Sequence, residues 1–139
     1  MTESVFDYFQ AFWFRPTGAP EFDSLFLPTK PLMVSEDRRA IMMPSNMFGG
    51  PVRFEVLIGA DETACAARMG THQRYEGDFV GEACGYVLED INHRIPVLDA
   101  LEPGEYHAVV LVTGVDPTQF DLVCEESNER YLLLLQPKG

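Results

Sequence analysis

The sequence predicts an all-β fold, an antiparallel β-sandwich with at most one or two short helices, with a small β-barrel as the alternative closure. Three observations lead there. Gly and Pro punctuate the chain about every ten residues, the spacing of strands joined by turns. Between them lie short segments that alternate apolar and polar residues or are apolar on both faces, as in "VRFEVLIGA" and "EYHAVVLVTGV". Helical periodicity is confined to one short stretch. At 139 residues the chain has the length of a single β-sandwich domain spanning 1–139, with no internal repeat or low-complexity tract.

The first apolar segment, Val5 to Phe14, reads as one strand. It seats Phe6, Tyr8, Phe12 and Phe14 on one face, Phe9, Ala11 and Trp13 on the other, and ends at Arg15-Pro16. The Pro-rich "TGAPEFDSLFLPTKPLMV" that follows reads as an irregular connection with at most a turn of helix at Glu21 to Leu25. "RRAIMM" suits a short strand, and "VRFEVLIGA" a longer one with Val52, Phe54, Val56 and Ile58 on one face and Arg53, Glu55 and Leu57 on the other. "DETACAARMG" is the helical candidate, capped by Asp61 or Thr63 and stopped by Gly70.

From His72 onward strand follows strand: "HQRYEGDFVG", "ACGYVLEDI", "HRIPVLDAL", "EYHAVVLVTGV", "QFDLVCEE" and "RYLLLLQ". The expected breaks are Gly77, Gly81, Asn92, Pro103-Gly104, Asp116-Pro117 and Ser127-Asn128. Residues 108–112 and 131–135 are apolar on both faces, which predicts central strands or a strand at a subunit contact.

Composition narrows the function classes. No apolar run approaches the ~20 residues of a membrane-spanning helix, and the first charges, Glu3 and Asp7, are not those of a signal peptide. Cys65, Cys84 and Cys124 are an odd, widely spaced set that fits neither a disulfide framework nor a zinc knuckle. A cytoplasmic location with reduced thiols is the expectation. The chain carries 22 acidic and 10 basic residues, a formal charge of −12. The excess is concentrated after residue 50, where 16 acids face 6 bases. Such a field repels nucleic acid and anionic membranes, and the charge-compatible partner is a basic protein.

Catalytic signatures are sparse. No nucleophile elbow, phosphate loop, His-Glu-x-x-His motif or dinucleotide fingerprint occurs, and no cofactor is implied. Cys84 or Cys124 with His93 or His107 could supply a nucleophile and a base only if the fold brings them within hydrogen-bond reach. His72, His93 and His107 could ligate a metal with carboxylates such as Glu105 or Asp90, and strand alternation puts Glu105 and His107 on one face. The acidic residues form a more coherent set. Glu89 and Asp90, Glu102 and Glu105, and Glu125, Glu126 and Glu129 all fall at turns or strand ends. Loops of a sandwich gather at its two ends, so these carboxylates could add into one negative surface for a partner.

The order of elements from "VRFEVLIGADE" through "YEGDFVGEACGYVLEDI" and "RIPVLDAL" to "PGEYHAVVLVTGVDP" resembles the competence-associated DNA nuclease inhibitors, with "YFQAFWF" in the place of a first strand. The resemblance covers about the last two-thirds of the chain and is one of layout. It implies a non-enzymatic β-sandwich that restrains a nuclease, whose substrate groove is basic. The Pro-rich segment and "TACAARMG" have no counterpart in that layout. Three readings stand at this point. The first is an acidic inhibitor of a basic nuclease or toxin. The second is a small barrel enzyme or small-molecule binder with a Phe, Met and Tyr interior. The third is an oligomeric accessory subunit, such as a homodimer, assembled through Trp13 and "YLLLLQ".

Overall fold

Alternating apolar residues demand two sheets that bury one face each, and the chain supplies them in turn. The computed structural model describes residues 4–8, 12–18, 33–34, 38–43, 50–89, 94–113 and 130–138. Among these residues ten strands and one helix run in the order β1 (Ser4–Tyr8), β2 (Trp13–Pro16), β3 (Met33–Val34), β4 (Ile41–Met42), β5 (Gly50–Ile58), α1 (Glu62–Met69), β6 (Gln73–Gly81), β7 (Tyr86–Glu89), β8 (Arg94–Leu98), β9 (Gly104–Thr113) and β10 (Arg130–Pro137). Sheet A has the order β1-β5-β10-β9-β6 and sheet B the order β3-β4-β2-β7-β8. The protein is thus an all-β sandwich with a single short helix among the described residues.

The core between the sheets is aromatic on both sides. Sheet B contributes Phe12, Phe14, Ile41, Tyr86 and Leu88, and sheet A contributes Val52, Phe54, Val56, Phe79, Val110, Tyr131 and Leu133. Phe12 meets Tyr131 edge-on at 5.2 Å across the interface. Such pairs add about 0.5–1.5 kcal/mol beyond the area they bury.

Strands β9 and β10 are apolar on both faces because sheet A has cover on both sides. Tyr106, Ala108, Val110, Val112, Tyr131, Leu133 and Leu135 face the core. Val109, Leu111, Leu132 and Leu134 face outward, where Cys65 of α1 closes over them with Leu57, Ala66 and Met69 at the margin. Residues Tyr131 to Leu135 are all buried within the chain, so "YLLLLQ" is a central strand and offers no subunit surface.

Helix α1 starts and stops where its sequence dictates. Asp61 is the N-cap, its carboxylate accepting from the Thr63 amide at 3.2 Å, and Gly70 ends the helix at φ 72°, a conformation that glycine adopts without steric cost. Two turns cannot persist alone, so packing on Leu111, Leu132 and Leu134 holds it. Asp61→Ala should cost about 1 kcal/mol, read as a lower urea midpoint, with near-unchanged far-UV circular dichroism below the transition.

Several elements differ from the sequence expectation. The segment Val5 to Phe14 is not one strand: β1 pairs with β5 in sheet A and β2 with β4 and β7 in sheet B. A single aromatic run thus serves both sheets, and Arg15-Pro16 belongs to β2. Met33 and Val34, assigned to an irregular connection, pair with Met42 and Ile41. Gly77 does not interrupt its strand, because β6 stays in register with β9 from Gln73 to Gly81. One junction is parallel, β5 against β10, while every other described pair is antiparallel. The expected strand "QFDLVCEE" lies outside the described residues. No helix among the described residues is long and apolar enough to cross a membrane.

Candidate functional site

The turns at one end of the sandwich are tied to the core by two tyrosines. Tyr86 opens β7 fully buried, and its hydroxyl accepts from the Glu82 amide at 2.9 Å. Burial pushes its pKa up to about 12, so the hydroxyl stays neutral at physiological pH. Tyr106 donates its hydroxyl to the Glu102 carbonyl at 2.7 Å, and burial raises its pKa as well. Backbone bonds join these turns to one another: Cys84 to Glu82 at 2.8 Å, Leu101 to Cys84 at 3.1 Å, and Thr17 to Gly85 at 2.9 Å, the first residue donating in each pair.

Glycine is required where the turns meet. A Cβ on Gly81 would stand 2.7 Å from both the Leu101 and the Tyr106 side chains. One on Gly85 would meet the Leu98 carbonyl at 3.0 Å and the Asp99 carbonyl at 3.1 Å. This end is therefore a rigid platform, with the Thr17, Glu82, Cys84 and Leu101 amides bonded across it.

Carboxylates stand on that platform. Asp99, Glu102 and Glu105 are exposed and Glu82 is half-buried. Arg39 holds Glu82 at 2.5 Å, and Arg38 reaches Glu105 at 3.5 Å. Among the described residues no cation pairs with Asp99 or Glu102, so their charges face solvent unneutralised. The outer face of sheet A beside them is more balanced. Lys138 binds Asp78 at 2.6 Å and holds its pKa below the usual carboxylate range. Arg74 binds Glu62 at 2.5 Å and Glu76 at 3.1 Å. Arg74 and then His107, 2.9 Å away, lower the Glu76 pKa in turn.

Strand direction divides the expected acidic set. Glu102 precedes β9 and Glu105 is its second residue; the first, Gly104, pairs with Gly81 at the end of β6. Glu89 closes β7 at the far end, paired with Trp13 and Arg94 at the starts of β2 and β8. The turns from β6 to β7 and from β8 to β9 keep the two sheets aligned, so Glu89 sits at the opposite end from Glu102 and Glu105. Its carboxylate is engaged as well, bound by Arg15 at 2.5 Å and Arg94 at 3.6 Å with the Glu89 side chain 13% exposed. Asp90, Glu125, Glu126 and Glu129 lie outside the described residues.

Asp99 and Glu82 were not among the residues singled out from sequence. Asp99 stands four residues before Pro103-Gly104, and that proximity to a turn was the signal available.

The other sequence candidates are placed as follows. His107 pairs with Glu76 while Glu105 turns to Arg38, so the two do not converge. Among the described residues no group of three His, Cys, Asp or Glu is arranged to hold a metal ion. His72 contacts the Gly70 carbonyl at 2.7 Å, and His93 lies outside the described residues. Cys65 is buried on the inner face of α1, against the outer face of sheet A, and Cys124 is outside the described residues. Burial and then the nearby Glu82 raise the Cys84 pKa, which keeps it a thiol and a poor nucleophile.

Comparison with known proteins places the architecture alone. No family model matches the chain, and no curated protein does. Among solved structures the chain is similar to one described as "Crocagin biosynthetic gene J", with a TM-score of 0.60 over 99% of this chain and 96% of that one at 12% sequence identity. At that identity the likeness is one of fold, and residue roles do not transfer.

Proposed function

We propose that the protein is a non-enzymatic acidic binding protein that neutralises a basic partner, a nuclease or toxin. The observation that supports this reading is the pair of unneutralised carboxylates, Asp99 and Glu102, on turns pinned by Tyr86 and Tyr106, with exposed Glu105 beside them. A rigid platform loses little conformational entropy on binding, so its charges act at nearly full effect. The net charge of −12 adds a long-range field that draws a cationic surface in. The groove of a nuclease is basic because it holds phosphates, and a carboxylate surface can occupy it in their place.

The test is capture of basic proteins from the cell of origin at low and moderate salt, followed by kinetics with the purified partner. Reversing Asp99, Glu102 and Glu105 to Lys should slow association by roughly tenfold or more while the dissociation rate changes less. These residues are exposed, so the thermal midpoint should move little. Recovery of no basic partner by folded protein, or an association rate indifferent to the reversal, would sink the reading.

A further inference from the structure

Strand β6 forms one edge of sheet A and pairs with β9 without a bulge from Gln73 to Gly81. Its Val80 amide donates to the Arg38 carbonyl at 2.7 Å, on the side away from β9. Alternation along a strand then turns the amides and carbonyls of Arg74, Glu76 and Asp78 outward as well. Among the described residues none of these takes a backbone partner on that side. The edge of sheet B is better protected: β8 carries Pro96, and its register with β7 is irregular between Tyr86 and Val87.

We propose that this edge is a self-association surface, on which two copies of the chain pair β6 with β6 antiparallel about a two-fold axis through Tyr75. The signs of the side chains select the occupant and the register. With the axis at Tyr75, Arg74 stands opposite Glu76 of the partner subunit, and His72 stands opposite Asp78 of the partner subunit, each pair occurring twice by symmetry. Shifting the axis to Glu76 would set like carboxylates against each other and would demand Val80, which Arg38 already occupies. The Tyr75 register stops short of Val80 and leaves that bond intact. It also joins the two copies of sheet A into one continuous sheet.

Sedimentation of the full chain from micromolar to millimolar concentration, at about 0.15 M salt so that the Debye length falls to about 8 Å, reads the outcome. A reversible dimer is expected, and a strict monomer throughout overturns the proposal. Arg74→Glu sets like charges opposite each other and should raise the dissociation constant roughly tenfold or more. The double variant Arg74→Glu with Glu76→Arg restores opposite signs and should recover dimerisation. A dimer indifferent to Arg74→Glu overturns the register and the surface together. Hydrogen exchange on the unaltered chain supplies a readout that needs no variant. The amides of Arg74, Glu76 and Asp78 should gain protection as concentration rises, and exchange that is independent of concentration counts against the edge.

Discussion

Phe14→Ala is expected to lower the stability of the fold by about 3–5 kcal/mol, the usual cost of emptying a buried aromatic site. Phe14 is fully buried and links the sheets through rings rather than through backbone. It stacks on Tyr86 with ring centroids 4.7 Å apart, and stands 6.0 Å from Phe79 and 6.2 Å from Phe54. Truncation leaves a void bounded by rings on three strands, and rings refill a void poorly because they cannot bend. A loss of that size is a large share of the 5–15 kcal/mol of a typical domain. Urea denaturation followed by circular dichroism measures it, and a midpoint equal to that of the parent would refute the packing account. The effect should reach the acidic end as well. Tyr86 stacks on Phe14 at one side of its ring and holds the Glu82 amide through its hydroxyl. Exchange of that amide should therefore rise in Phe14→Ala by more than the global loss alone would give.

What the sequence disclosed and what it withheld follow from the range of each interaction. The helix was legible between Asp61 or Thr63 and Gly70, because caps and stops act on neighbours in the chain, and the structure selects Asp61 as the cap. The central position of β9 and β10 was legible because only a strand covered on both faces can be apolar on both, as Val109 and Leu134 are beneath α1. The division of Val5 to Phe14 between two sheets was hidden, since alternation looks the same whichever sheet a strand joins. The parallel junction of β5 and β10 was hidden too, because their pairing spans most of the chain and leaves no local mark. The acidic site suffered in the same way. Glu89 and Glu102 are both turn-proximal carboxylates in sequence, and only strand direction reveals that they stand at opposite ends.

That separation predicts opposite phenotypes for two carboxylates of equal charge. Glu89 lies against Arg15 at 2.5 Å, with side chains 13% and 10% exposed, so both charges are largely removed from water. Deleting the Glu89 carboxylate takes a hydrogen-bonded charge partner from a largely buried guanidinium, and Glu89→Ala should lower the denaturation midpoint. Arg94, 3.6 Å from the same carboxylate and 41% exposed, can turn to solvent and should suffer little. Replacing the pair together, Arg15→Met with Glu89→Leu, removes both charges and fills the space with apolar atoms. The double variant should therefore recover part of the loss, as apolar replacements of buried ion pairs do elsewhere. Equal denaturation midpoints for the parent and Glu89→Ala would show that the pair is solvated after all. Binding separates the two ends of the molecule in the same experiment. Folded Glu89→Ala should associate with a basic partner at nearly the parental rate, because the lost charge was neutralised inside the fold. Asp99→Lys or Glu102→Lys should do the reverse, keeping the denaturation midpoint and slowing association. A surface defined by charge at one end requires that dissociation of effects, whereas a partner attracted only by total charge would respond equally to all three.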